Sequence, residues 1–171
     1  VLLDLGRDAT EQDTGRVMTL HFAYGANMSR AIMKRHARDA EPLGAAELAA
    51  HRFVITGDGY ASVEPQPAQT VHGVLWRITP HDRVTLDAWE NVAAGLYHTA
   101  TVPVRHAGEL MPALVYFARP RGEGRPKPGY IELVLAAARE WRLPGSYIRS
   151  LESWTAQHPL GSGHRKLGDV M

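Results

Sequence analysis

"HFAYGANMSR", residues 21–30, ends an alternating strand, turns on a single glycine and enters a run with helical spacing. Before the turn, Leu20, Phe22 and Tyr24 fall on one face and Thr19, His21 and Ala23 on the other, the period of a strand. After Asn27, residues Met28, Ala31 and Ile32 stand at i, i+3 and i+4, the period of a short helix. A strand that passes through glycine into a helix presents backbone N–H groups at the helix's positive end, an arrangement that favours an anion. A phosphate-binding P-loop requires a second glycine and a lysine, and "GANMSR" has neither; the dinucleotide fingerprint fails as well. A small site for a carboxylate, with Arg30 close by, is the functional expectation. The competing expectation is that Gly25 only permits a tight turn and Asn27 caps the helix.

Outward from this loop, strands are expected around 43–48, 51–56 ("HRFVIT") and 70–78 ("TVHGVLWRI"), with a turn-rich stretch at Gly57, Gly59, Pro65 and Pro67. "TPHDRVTLDAWENV" announces a helix: Thr79 suits the N-cap, Pro80 the first turn, and Asp82 completes a T-x-x-D capping pattern. This helix is expected to end near Asn91–Gly95. Two strands follow, "LYHTATVPVRH" and "ELMPALVYFA", joined at Ala107–Gly108, with Pro103 marking a partial edge. "RPRGEGRPKPG", 119–129, is a loop and a candidate lid. Ile131, Val134, Leu135 and Ala138 then stripe one closing helix, and Tyr147, Ile148, Leu151 and Trp154 another. Strands in the middle and helices at the end, without βαβ alternation, make the fold class α+β.

The chain's 171 residues, 44% of them apolar, fit one domain with a proper core. Residues 1–17 are expected to be a poorly ordered N-terminal extension, with Met18 as the natural start, 18–157 the domain and 158–171 a C-terminal tail. A formal net charge of +1 suggests neither a nucleic-acid surface nor a polybasic membrane anchor. The absence of cysteine removes disulfides, thiolate nucleophiles and cysteine-ligated metals, and fits a reducing cytoplasm. Nine histidines form no H-x-x-x-H pair and no H-E-x-x-H helix, so no metal is expected. No apolar stretch approaches the ~18 residues of a membrane span. The expectation is a cytoplasmic domain without cofactor, and the sequence assigns no oligomeric state.

"FAYGANM" resembles the glycine-loop motif of γ-glutamylcyclotransferases and their AIG2-like relatives. Three further segments agree in order: "VHGVLWRI", "LDAWENVAAGLYHTATVPV" and "KPGYIELVLAAAREWRLPGSYIRSL". The resemblance covers about 24–156. It implies a small α+β domain around a mixed, partly closed β-barrel with flanking helices, and a substrate carrying a γ-glutamyl group. It also implies that Glu90 is the catalytic carboxylate, that Tyr24, Gly25, Ala26, Asn27 and Met28 bind substrate, and that Tyr97 and Tyr130 border the pocket.

The residues around Glu90 support that role independently. It lies near the negative end of the 80–91 helix, between Trp89 and Val92, and both the dipole and desolvation raise a carboxyl pKa toward the value a general acid/base needs. Read without the resemblance, Glu90 is an exposed helix-end glutamate, and Tyr97 and Tyr130 are amphipathic edge aromatics. Two positions depart from the family pattern: Ala26 replaces the usual Ser, and Asn91 follows Glu90 where Gly is usual. "YGAN" also differs from the "YGSL" of the glutathione-degrading branch, so glutathione is not the first substrate expected. The implied reaction cyclises a γ-glutamyl group to 5-oxoproline. A non-catalytic module binding a small carboxylate and a γ-glutamyl amide hydrolase are the alternatives.

Overall fold

The computed structural model describes residues 17–156. The chain runs β1 (Thr19–Ala23), a 3₁₀ turn (Ala26–Met28), α1 (Arg30–His36), β2 (Glu41–Ile55), β3 (Ala61–Ile78), α2 (Pro80–Trp89), β4 (Tyr97–His106), β5 (Glu109–Ala118), α3 (Tyr130–Glu140) and α4 (Gly145–Ala156). The expected extension, 1–17, lies outside the described residues except for Val17, and the expected tail, 158–171, lies wholly outside them.

The five strands close into a barrel in the order β1-β3-β2-β4-β5. Neighbours are antiparallel except β1 and β5, which pair in parallel at His21 and Leu114 and complete the ring. The barrel is therefore mixed, as expected, and fully rather than partly closed. Phe22, Leu48, Ile55, Leu75 and Ile78 are among its fully buried side chains. Gly73 is dictated by closure: a Cβ there would lie 2.2 Å from the Ala23 carbonyl oxygen and 2.8 Å from Phe22 Cζ. Any side chain at 73 would push β1 off β3.

Several boundaries differ from the sequence expectation. The strands expected at 43–48 and 51–56 are one strand, β2, kept continuous by irregularities at Pro42/Gly44 and Ala49/His51. The turn-rich stretch contracts to 56–60, and 61–69 belongs to β3. Its prolines are tolerated because of the second irregularity: Ala49 pairs with Thr70 and His51 with Pro65, so Pro67 falls where no ladder partner is required. In α1 the buried face is Met33 and Ala37, not Ala31 and Ile32.

α2 forms as read. Thr79 Oγ1 accepts from the Asp82 amide at 3.1 Å, Asp82 Oδ2 accepts from the Thr79 amide at 3.0 Å, and Pro80 occupies the first turn. α3 and α4 bury the expected stripes, including Ile131, Val134, Leu135, Tyr147 and Leu151. No residue of the 119–129 loop lines the cavity described below. The loop lies along the β2–β3 turn, with the Gly124 amide on the Ile55 carbonyl (2.8 Å), Gly57 on Gly122 (3.0 Å) and Lys127 on Gly59 (3.1 Å).

Candidate active site

A cavity of about 590 Å³ opens where the β1–α1 loop, the end of α2 and the start of α3 converge. That is an ordinary size for a small-molecule site. The turn of the loop is closed by the Met28 amide on the Gly25 carbonyl and the Ser29 amide on that of Ala26, both at 3.0 Å. Its own hydrogen bonds thus use the amides of 28 and 29 rather than those of 25–27.

Gly25 is needed for close approach and not for handedness. Its φ is −113°, and a Cβ would sit 2.8 Å from Tyr130 Oη and 3.2 Å from Ala61 Cβ. Asn27 does not cap the helix: Ser29 does, its Oγ accepting from the Ile32 amide at 3.4 Å. The Asn27 side chain instead turns into the cavity and donates from Nδ2 to Glu90 Oε1 at 2.7 Å. Its Oδ1 is buried without a protein partner among the described residues.

Glu90 caps the C-terminus of α2, its amide bonded to the Leu86 carbonyl at 2.9 Å and its side chain on the cavity wall. Burial pushes its carboxyl up to about 7, against the opposing effect of the Asn27 hydrogen bond. Trp89 contributes less to that burial than expected, since half of it faces solvent and its ring stacks on His36 at 3.7 Å. Asn91 adopts φ 51°, a left-handed conformation that glycine takes freely and asparagine tolerates better than most residues, which gives the departure from Gly a physical basis.

Tyr97 and Tyr130 both line the cavity, and their hydroxyls both bond to the backbone of Ala61. Tyr97 donates to the Ala61 carbonyl at 2.8 Å, and Tyr130 Oη accepts from the Ala61 amide at 3.2 Å. Because that oxygen accepts from the Ala61 amide, the hydroxyl hydrogen of Tyr130 is left to donate elsewhere. Burial pushes the Tyr130 phenol up to about 12 and raises those of Tyr24 and Tyr97, so these groups stay protonated donors. Tyr24 lines the cavity while donating to the Tyr116 carbonyl at 2.5 Å.

The structure brings Tyr24, Gly25, Ala26, Asn27, Glu90, Tyr97 and Tyr130 to one cavity wall. Two expectations fail. The Met28 side chain is fully buried in the core, while its amide closes the turn and its carbonyl accepts from Trp141 Nε1 at 2.7 Å. Arg30 is held away from the loop, paired with Glu140 at 2.9 Å and lying 3.9 Å over the Trp141 ring. Sequence reading also missed several cavity residues, among them His21, Tyr60 and Tyr116. Period-two alternation on β1 puts His21 on the face of Ala23; nothing local marks Tyr116. Among the described residues no group of three or more His, Asp or Glu could hold a metal ion, and no helix is long and apolar enough to cross a membrane.

Comparison with known proteins agrees with this architecture. The AIG2-like family model matches residues 70–151. The γ-glutamylcyclotransferases of Homo sapiens and Mus musculus are each 25% identical over 114 residues, 66% of this chain and 61% of theirs. The match thus spans under two thirds of those relatives. A solved γ-glutamyl cyclotransferase superposes with a TM-score of 0.75 at 23% identity, covering 80% of this chain and 87% of that one. YkqA from Bacillus subtilis does so with a TM-score of 0.73 at 24% identity, covering 85% of this chain and 56% of its own. The barrel, the order of the four segments and these matches agree: the chain is similar to the AIG2-like family over residues 70–151 and has the γ-glutamylcyclotransferase fold.

Proposed function

We propose that the protein is a γ-glutamylcyclotransferase-type enzyme that converts a γ-glutamyl amide to 5-oxoproline and a free amine, with Glu90 as general acid/base. The observation that carries this reading is Glu90 itself: a carboxylate on a cavity wall, given one side-chain donor at 2.7 Å and a pKa raised to about 7. A group balanced near neutrality can take a proton and return it in one cycle.

In this reading the α-carboxylate of the substrate lies against the amides of 25–27. The α-ammonium sits between Glu90 and the unpartnered Oδ1 of Asn27. Glu90 removes a proton from the ammonium and the freed amine attacks the γ-carbonyl. A C–N bond forms to close the five-membered lactam, and the bond to the departing nitrogen breaks as the Glu90 carboxyl protonates it. The α-nitrogen loses two protons and the departing nitrogen gains two, so the charges balance in water at neutral pH. Holding an internal nucleophile in a near-attack pose supplies about 7–11 kcal/mol, and the positioned acid/base about 10²- to 10⁴-fold more. Ala26 belongs to the loop through its backbone, so the absence of a hydroxyl there is compatible with the same chemistry.

Acetylation of the α-amine tests the reading. An N-acetyl-γ-glutamyl amide that competes with the unmodified amide for binding is expected not to turn over. Its cleavage to N-acetylglutamate would make water the nucleophile and the protein an amide hydrolase, even with Glu90 essential.

A further inference from the structure

The cavity lining includes a polar pair, His21 and Tyr116, that the cyclisation chemistry does not use. His21, Ala23 and Gly25 stand at alternate positions leading out of β1, and all three line the cavity. His21 is about 13 Å along the chain from the glycine loop, farther than an extended glutamyl chain reaches from a carboxylate anchored there. Whatever follows the γ-nitrogen therefore has room to approach the imidazole.

The state of that imidazole is fixed by its surroundings. His21 is 2% exposed, and Nδ1 lies 3.2 Å from the Leu114 carbonyl oxygen. A carbonyl only accepts, so the ring hydrogen is on Nδ1 and Nε2 presents a lone pair. Nε2 is buried and has no partner among the described residues. Tyr116 packs edge-on at 5.4 Å and holds the ring's plane. Burial lowers the imidazole to about 4, helped by the Arg83 charge and opposed by the Leu114 hydrogen bond and Asp87.

The same surroundings select the ligand. A cation beside His21 would need a carboxylate with capacity to spare. Asp87, the carboxylate that acts on His21, is held by Arg83 Nε at 2.9 and 3.0 Å and also accepts from Tyr116 Oη at 2.6 Å. An anion would face the Nε2 lone pair. A neutral donor satisfies an acceptor whose burial without a partner costs roughly 1–3 kcal/mol.

We propose that the part of the cavity lined by His21 and Tyr116 is a leaving-group subsite, in which His21 Nε2 accepts a hydrogen bond from a neutral hydroxyl or amide N–H carried by the departing amine. The proposal rests on the γ-glutamyl reading of the site at Glu90. It makes His21 a specificity residue and places hydroxylated or amide-bearing amines ahead of plain alkylamines, and ahead of amino acids whose carboxylate would fall at this depth.

The test compares γ-glutamylethanolamide with γ-glutamylpropylamide, which differ by a hydroxyl for a methyl, and repeats the comparison with the next longer pair. Affinities are measured by calorimetry on the Glu90→Gln protein, where turnover does not intrude, and kcat/KM on the wild type. In at least one pair the hydroxyl member is expected to bind about tenfold more tightly. His21→Asn retains a short donor toward Leu114 while withdrawing the Nε2 acceptor, and is expected to bring that ratio to near unity. No preference in either pair, a preference that survives in the folded His21→Asn protein, or no binding by any of the amides overturns the proposal. The wild-type-sequence comparison needs no change at His21, so a poorly folding variant leaves the test intact. A binding preference without release of 5-oxoproline by the wild type would reject the cyclotransferase chemistry while retaining the subsite.

Discussion

Helix α2 carries a carboxylate at each end, and the two are treated oppositely. Asp82, in the first turn, is fully buried and saturated: it accepts from the Thr79 amide at 3.0 Å, the Thr79 hydroxyl at 2.9 Å and the Asp39 amide at 3.2 Å. It also sits at the end of the helix where the dipole favours negative charge. Glu90 closes the other end, where the dipole opposes charge, and receives one side-chain hydrogen bond, from Asn27. Burying a carboxylate with its lone pairs occupied makes an anchor. Burying one with lone pairs to spare makes a group that can exchange a proton.

The largest expected effect that tests this contrast is on turnover. Glu90→Gln keeps the side chain's shape and its oxygen for Asn27, and is expected to lower kcat by 10² or more. The same change is expected to stabilise the protein. The folded Glu90 carboxyl holds its proton to about pH 7 and the unfolded one only to 4.5, so the native state binds more protons across that window and wild-type stability falls as pH rises through it. His21 works in the opposite sense: folded near 4 and unfolded at 6.5, it makes stability rise with pH across its window. Between pH 4.5 and 6.5 the two slopes cancel in the wild type. In Glu90→Gln the opposing Glu90 slope is lost, and denaturant titrations are expected to show the variant gaining on wild type from pH 4.5 upward, by roughly 1–3 kcal/mol at pH 8. Equal stability at pH 8 would mean that Glu90 is not held protonated by the fold.

At the other end of the helix the signs reverse. Asp82→Ala leaves the Thr79 and Asp39 amides without their acceptor and is expected to cost roughly 2–4 kcal/mol in denaturant titrations. Turnover per folded molecule is expected to stay within about twofold, since a change of several-fold in kcat corresponds to about 1 kcal/mol at the site and Asp82 does not line the cavity. A loss of kcat as large as that at Glu90 would dissolve the distinction between the two carboxylates.

How much of this was legible in the sequence follows from how local each cause is. The Thr79–Asp82 box, the stripes of α3 and α4, and the alternation of β1 are written within a few residues of one another, and they formed as read. Glu90, Tyr97 and Tyr130 could be picked out because four segments occurred in family order; the structure then placed all three on one cavity. The long β2–β3 ladder was hidden because its irregularity at Ala49/His51 absorbs the region around Pro65 and Pro67 that otherwise reads as turn. Met28 sits beside Gly25–Asn27 in sequence, but the 3₁₀ turn rotates its side chain into the core. His21 was one histidine among nine, and its meaning depends on Leu114 and Tyr116, more than ninety positions away. A contact of that range leaves no periodicity to read.

The smallest expected effect is at the hydrogen bond that separates Glu90 from a wholly unsupported carboxylate. The Asn27 amide stabilises the ionised form of Glu90, the one influence that opposes burial there. Asn27→Ala removes it, so the Glu90 pKa is expected to rise, and with it the acidic limb of the kcat/KM–pH profile, which reports the free enzyme's base. The variant also loses Oδ1, the oxygen assigned above to the α-ammonium, and KM is expected to increase. These two effects separate cleanly. Weaker binding lowers the whole log kcat/KM profile without moving its limb, whereas a changed base moves the limb along the pH axis. An acidic limb unmoved in Asn27→Ala, with kcat/KM merely lowered, would leave Asn27 as a ligand contact and take away its part in setting the proton affinity of Glu90. A limb that moves upward while Asp82→Ala leaves it in place would tie the difference between the two ends of α2 to the donors each carboxylate is given.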